Sequence, residues 1–286
     1  MQLSRKAEIY LLVVTLIWGS TFVITKTSLD QASPLMFLGV RFLIASLIFG
    51  AVFHKKIFAS KFKPGKAAIF VCLTLFIGFA TQTAGLKFTS ASHSGFITGL
   101  LVIFTPIFQV IIEKKFPNRG VWVGVTLVTI GLYFLVNPSS ELSGDVLFGD
   151  FLTLICAIVY AIYIVYLDIA SRETDIYQLT FYQFITVAVF SFAAAPFFET
   201  PFLTSDTDLW TALIYLAVLA TIVTTFIQTR FQKDTTPAKA AVIFTMEPVF
   251  SAVLAFFVLN EMIGLTGIFG GTLIVIGLLT SELSKS

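Results

Sequence analysis

Apolar side chains do not alternate with polar ones along this chain; they run on for helical lengths and stop at short polar breaks. Runs of this kind extend from Ile9 to Lys26, Leu35 to Phe53, Ala67 to Leu86, Ser94 to Ile112, Val121 to Val136, Phe148 to Leu167, Leu179 to Phe198, Leu209 to Phe231, Ala238 to Leu259 and Leu265 to Thr280. Each is close to the ~20 residues a helix needs to cross a hydrocarbon core of about 30 Å. Continuous apolar character selects helices over the alternating strands of a transmembrane barrel. The pattern therefore predicts an all-α membrane protein: ten transmembrane helices joined by short connections into one bundle.

Composition narrows the function classes. Of 286 residues, 57% are apolar and 12% charged, against roughly 45–50% and 25% in a soluble domain. Mean hydropathy is +0.95 and Phe alone contributes 32 residues, more apolar surface than a soluble monomer hides. A net charge of +2, with no basic run interleaved with aromatics, excludes a nucleic-acid binder. Cys72 and Cys156 both fall within apolar runs and read as small core residues. Arg5 and Lys6 before the first run mimic a signal peptide, but Trp18-Gly19-Ser20-Thr21 continues the run without an Ala-x-Ala-like site, so a retained first span is expected.

Charge placement predicts orientation. With the N-terminus cytoplasmic, one side holds Arg5, Lys6, Lys55, Lys56, Lys61, Lys63, Lys66, Lys114, Lys115, Arg119, Arg172, Arg230, Lys233, Lys239 and Lys285. The other holds only Lys26 and Lys87, among acids such as Glu141, Asp145, Glu199, Asp206, Asp208 and Glu261. By the positive-inside bias both termini are expected in the cytoplasm, in a multi-pass protein of the cytoplasmic (inner) membrane.

The two halves of the chain can be laid over each other. Ser90-Ala91-Ser92 falls on Thr236-Pro237-Ala238, Pro106 on Pro248, and Gly124-x-Thr126 with Gly131 on Gly270-x-Thr272 with Gly277. Arg41-Phe42 falls on Gln183-Phe184, Gln82-Thr83 on Gln228-Thr229, and Trp18 on Tyr160. The expected division is a first repeat at 1–137 and a second at 138–286, each of five spans. Five is odd, so the second copy must sit inverted in the membrane, the architecture of alternating-access carriers.

On these motifs the chain resembles the EamA branch of the drug/metabolite transporter superfamily over essentially its whole length. The resemblance is carried by Trp18-Gly19-Ser20-Thr21-Phe22 with Lys26, Arg41-Phe42-Leu43-Ile44-Ala45, Thr89-Ser90-Ala91-Ser92, and Glu247-Pro248-Val249-Phe250 with Asn260-Glu261. It implies two inverted five-helix repeats, a central cavity lined mainly by the third, fourth, eighth and ninth helices, and export or exchange of small metabolites, often amino acids. In place of the family's Gly-Glu at the end of the fourth span stands Lys114-Lys115-Phe116-Pro117-Asn118-Arg119.

Arg41 and Glu247 are the formal charges lying deep within a span. Burying either costs at least ~2.5–3.5 kcal/mol on insertion scales, so each needs a partner or a wet cavity. Glu247 reads either as a protonatable or substrate-ammonium-contacting group or as a buried carboxyl that fixes helix packing. Arg41 reads as structural, as snorkelling outward, or as the partner of Glu247. Pro106 and Pro248 are expected helix breaks at matched positions of the two halves, which point to the binding site. Gln82 and Gln228, and likewise Thr98, Thr221, Thr224 and Thr225, are candidates for binding a zwitterion or for interhelical hydrogen bonds. Gln183 is the neutral repeat mate of Arg41. Trp18, Tyr160, Tyr163 and Tyr166 are candidates for an aromatic cavity wall or for packing. His93, at the outer entrance of the fourth span, is a gate candidate.

Rival classes fit less well. The G-x-S-x-G elbow is absent, and Asp150 and Asp168 sit at opposite ends of one span, which removes the serine and aspartyl designs of intramembrane proteases. No cofactor and no metal site is expected. A channel lacks a filter motif, while an uncoupled facilitator shares the carrier architecture. The expected partners are a small-molecule substrate, the lipid bilayer and, as a candidate coupling ion, protons; nucleic acid is not expected. One chain suffices for a pathway, and a dimer stays open.

Overall fold

The computed structural model describes residues 2–136, 144–259 and 264–284, with side chains at 6–135, 144–254 and 264–284. Glu141, Asn260, Glu261, Lys285 and the expected repeat division at 137/138 lie outside the described residues, as does the Arg5 side chain. Those described are almost entirely helical. Nine helices are long and apolar enough to cross a membrane: Lys6–Ser28, Pro34–Ile57, Lys66–Phe88, Ala91–Glu113, Gly144–Glu173, Ile176–Phe198, Thr207–Asp234, Pro237–Leu254 and Leu265–Leu283. A shorter apolar helix, Arg119–Leu135, completes the ten. In chain order these are spans one to ten, with Arg119–Leu135 the fifth. Most reach a few residues beyond the apolar runs, because a helix continues through its polar ends while hydropathy marks only its oily middle.

Successive spans alternate in direction. One end of the bundle carries connections 58–65, 114–118 and 235–236, with both chain ends, and is here the terminal face. The opposite end, with 29–33, 89–90 and 199–206, is the far face.

Packing follows the repeat. The third span packs on the sixth, and its repeat mate, the eighth, packs on the first, the mate of the sixth. Spans two and seven pair, as do five and ten. In the last pair, repeat mates meet as an inverted repeat demands. A Cβ on Gly124 would lie 2.7 Å from the Gly277 carbonyl oxygen, and one on Gly131 2.7 Å from that of Gly270. Without a hydrophobic drive between helices in lipid, such small-residue contacts hold spans together by close van der Waals approach.

Caps repeat as well. Ser90 Oγ accepts from the His93 amide at the start of the fourth span, and its mate Thr236 does the same for Lys239 in the ninth. At the far face, the carboxylate of Glu199 accepts from the Leu35 and Met36 amides and caps the second span.

Four spans are interrupted, not continuous as their hydropathy predicts. The first breaks after Trp18, the fourth after Gly99, and the ninth after Phe244, while the eighth carries a π turn over Val218–Val223. Pro248 lies in the first turn after its break, and the carbonyl its ring would crowd is that of Phe244, where the preceding helix stops. Pro106 does not break its span: it sits inside the continuous helix Leu101–Glu113, and the interruption comes earlier, at Leu100. Cys72 and Cys156 are both free and buried.

Candidate functional site

The interruptions surround a central cavity. It draws its wall from spans one, two, three, four, six, eight and nine. Trp18, Arg41, Gln82, Thr98, Tyr160, Tyr163, Thr225, Gln228 and Glu247 all line it.

Each break positions a polar group. Gly19 follows Trp18 because the first span presses against the ninth there: a Cβ would lie 3.1 Å from the Glu247 carbonyl oxygen and 3.0 Å from the Ser251 nitrogen. The π turn of the eighth span frees backbone carbonyls. That of Ala220 accepts from Arg41 Nη2 at 3.2 Å, and Thr221 Oγ1 accepts from Arg41 Nε at 2.8 Å. The guanidinium also lies 5.2 Å from the centre of the Phe79 ring, a cation–π contact. Arg41 therefore does not pair with Glu247. Among the described residues the Glu247 carboxylate has no hydrogen-bond or ion-pair partner, and it faces the same cavity.

The neutral groups are partly occupied. Gln82 Nε2 donates to Thr98 Oγ1 at 3.2 Å. Gln228 Nε2 donates to Gln232 Oε1 at 2.9 Å, and Gln232 in turn donates to the Ile164 carbonyl at 2.7 Å, an amide chain bounding the cavity toward the terminal face. Tyr160 Oη is buried with no partner among the described groups. Aromatic rings are grouped along the wall, with Trp18 against Phe244 at 5.4 Å and Phe79 edge-on to Tyr160 at 5.7 Å between centroids.

Other expected site residues lie elsewhere. Gln183 is fully buried behind the wall, where its oxygen accepts from Tyr163 Oη at 2.8 Å and its nitrogen donates to Thr229 Oγ1; it orients a lining tyrosine and does not line the cavity itself. Thr221, buried in the π turn, and Thr224, buried just after it, serve Arg41 and the backbone. Tyr166 stacks on Phe70 at 4.8 Å. His93 is at the far face, its Nδ1 3.2 Å from Asp150 Oδ2, with Thr89 Oγ1 donating to the same carboxylate at 2.6 Å. Lining residues that sequence reading passed over include Thr21, Phe22, Thr25, Phe79, Leu86 and Phe244. Several were reachable from helical spacing: Thr21 and Thr25 are three and seven residues past Trp18, and Phe79 and Leu86 flank Gln82 at three and four.

Comparison with known proteins decides the family. The model of the EamA-like transporter family matches twice, over residues 5–137 and 147–282. The chain belongs to this family. Such a chain is a membrane transporter of the drug/metabolite superfamily, not an enzyme. An uncharacterized transporter of Archaeoglobus fulgidus is 35% identical over 277 residues, covering 97% of this chain and 86% of its own. YoaV, an uncharacterized transporter of Bacillus subtilis, is 25% identical and covers 98% of each chain. A probable amino-acid metabolite efflux pump of Salmonella typhimurium is 28% identical over 162 residues, 56% of this chain and 52% of its own. A solved crystal structure superposes with a TM-score of 0.84 at 16% identity, covering 98% of this chain and 97% of that one, and so shares the EamA fold.

One wall contact yields a test in this EamA protein. A Cβ on Gly78 would lie 2.6 Å from Tyr160 Cδ1, so Gly78→Ala must push that ring toward the cavity. The variant is expected to fold, since Ala favours helix over Gly, and to raise the half-saturation concentration for transport several-fold in proteoliposomes. An unchanged value would remove Tyr160 from the binding wall.

Proposed function

We propose that the protein is an alternating-access carrier that exports or exchanges small zwitterionic metabolites such as amino acids. The observation that carries this reading is the pair of opposite charges on one cavity wall, Arg41 and Glu247, with no ion pair between them among the described residues. A buried charge is costly unless something compensates it. A ligand bearing a carboxylate and an ammonium compensates both, with its side chain against the aromatic wall and its remaining polar atoms near Gln82, Gln228, Thr98, Thr225 and Tyr160 Oη. The efflux-pump name of the Salmonella relative supports the same class. Phosphorylated substrates fit less well, because Arg41 alone supplies little positive charge for phosphate.

In this reading the repeats 1–137 and 138–286 rock about the cavity in the cytoplasmic membrane, with both termini in the cytoplasm as the Lys and Arg distribution favours. The breaks near the cavity are the compliant points. One chain contains the whole pathway.

Counterflow in proteoliposomes is the direct test. With a mixture of amino acids inside and each labelled one outside, transient accumulation of at least one label is expected. Flat traces from folded protein would overturn the zwitterion reading and direct the search to neutral solutes. Repeating the assay under an imposed pH gradient separates a proton-coupled carrier from an uncoupled facilitator.

A further inference from the structure

Two half-helices occupy equivalent places in the repeats and are not equally enclosed. Pro237–Phe244, the first half of the ninth span, buries all eight of its residues at the terminal face. Its mate at the far face, Ala91–Gly99 of the fourth span, buries only Ser94, Thr98 and Gly99. The cavity wall shows the same bias. Toward the far face it reaches Leu86 and Thr25, in the last turns of the third and first spans; toward the terminal face it stops at Gln228, six residues short of Asp234 at the end of the eighth.

The enclosed half-helix is held from the other repeat. A helix leaves its first four N–H groups without partners of its own. In the ninth span Thr236 Oγ1 serves the Lys239 amide, and Gln109 Oε1, from the second half of the fourth span, accepts from the Ala238 amide at 3.1 Å. Gln109 is 3% exposed and Ala238 fully buried, so water does not replace the bond while the two half-helices touch. The repeat mates of Ala238 and Gln109 are Ser92 and Ser251. Among the described residues these two make no such bond; Ser92 is exposed and Ser251 half-buried.

When two inverted halves rock about a fixed site, the second state has their conformations exchanged. A contact made at one face and missing at its mate is then one that the exchange breaks, and the mate is where the reciprocal closure forms. We propose that Gln109 is the latch of the terminal face. Its bond to Ala238 keeps the cavity turned to the far face. Its release, with closure of the fourth span's first half on the ninth span's second half around Ser92 and Ser251, turns the cavity to the terminal face. The assignment rests on the alternating-access reading and not on the nature of the substrate.

The test needs no substrate. Nitroxide pairs are placed at Lys87→Cys with Leu265→Cys on the far face and, separately, at their repeat mates Lys233→Cys with Arg119→Cys on the terminal face. The full chain also carries Cys72→Ala and Cys156→Ala, and pulsed EPR distances are read in nanodiscs. In this background the far pair is expected to be mainly long and the terminal pair mainly short. Gln109→Leu keeps the bulk and removes the acceptor, so the Ala238 amide is buried without a partner for as long as the face stays closed. That penalises the closed form and is expected to raise the ratio of terminal-open to terminal-closed molecules roughly 5- to 150-fold, with the far pair shortening in step. Gln109→Glu keeps an oxygen acceptor in either protonation state and is expected to hold the parent distances. Gln109→Ser, the residue that the other repeat carries at this place, repeats the test if Gln109→Leu does not fold. Unchanged distances in folded Gln109→Leu, or an equal shift in Gln109→Glu, would overturn the latch. A terminal pair that lengthens while the far pair stays long would keep the latch and overturn alternating access. Flat counterflow traces would overturn the zwitterion reading and leave the latch standing, since no substrate enters the measurement.

Discussion

Glu247→Gln is expected to lower transport of an ammonium-bearing substrate at least tenfold and to leave the fold intact. The substitution keeps the shape and removes the charge. Among the described residues Glu247 has no partner that would be orphaned, so the usual cost of breaking a buried pair, about 3–5 kcal/mol, does not arise. What is lost is the counter-charge for the ligand, and a hydrogen bond to a charged group is worth roughly 1.5–3 kcal/mol, or about 10- to 150-fold in affinity. Counterflow together with thermal melting separates the readings. Lost transport with an unchanged or raised melting midpoint assigns the carboxylate to the substrate; lost transport with a lowered midpoint assigns it to packing. Full activity would remove Glu247 from the site.

The largest structural effect is expected at Gly270. A Cβ there would lie 2.5 Å from the Gly131 carbonyl oxygen and 2.8 Å from Leu135 Cα, and would meet the Leu135 nitrogen still more closely. All three are backbone atoms of the fifth span, so no rotamer change relieves the clash and the two spans must separate. Overpacking of this kind costs about 3 kcal/mol, which for a chain of this size lowers the melting midpoint by roughly 6–12 °C. Gly271 is the internal comparison. Its Cβ would touch only Leu135 Cδ1 at 3.9 Å, so Gly271→Ala should melt within about a degree of the parent. Equal effects at the two positions would show that helix propensity, not the contact between spans five and ten, sets the outcome.

These predictions differ in how much of their basis is legible along the chain. Gly124, Gly131, Gly270 and Gly277 stand out as repeat mates in the sequence, but that Gly124 faces Gly277 and Gly131 faces Gly270 follows only from spans five and ten running in opposite directions side by side. Arg41 and Gln183 occupy equivalent places in the two halves, yet one lines the cavity and the other stands behind it, holding Tyr163. Pro106 and Pro248 mark the right spans, but only Pro248 lies at its break; the fourth span yields at Gly99-Leu100 instead.

By itself the sequence determined the ten spans, the class and the inverted repeat. Apolar run length is read against a bilayer of constant thickness, and charge counts and repeat matches are one-dimensional properties that survive whatever the helices do next. Only the tertiary structure decided which side chains share the cavity, and that Arg41 rests on a π turn while Glu247 has no described partner. Each depends on how far a helix is rotated about its own axis, about 100° for every residue. That rotation is set by packing against neighbours whose positions no single span encodes.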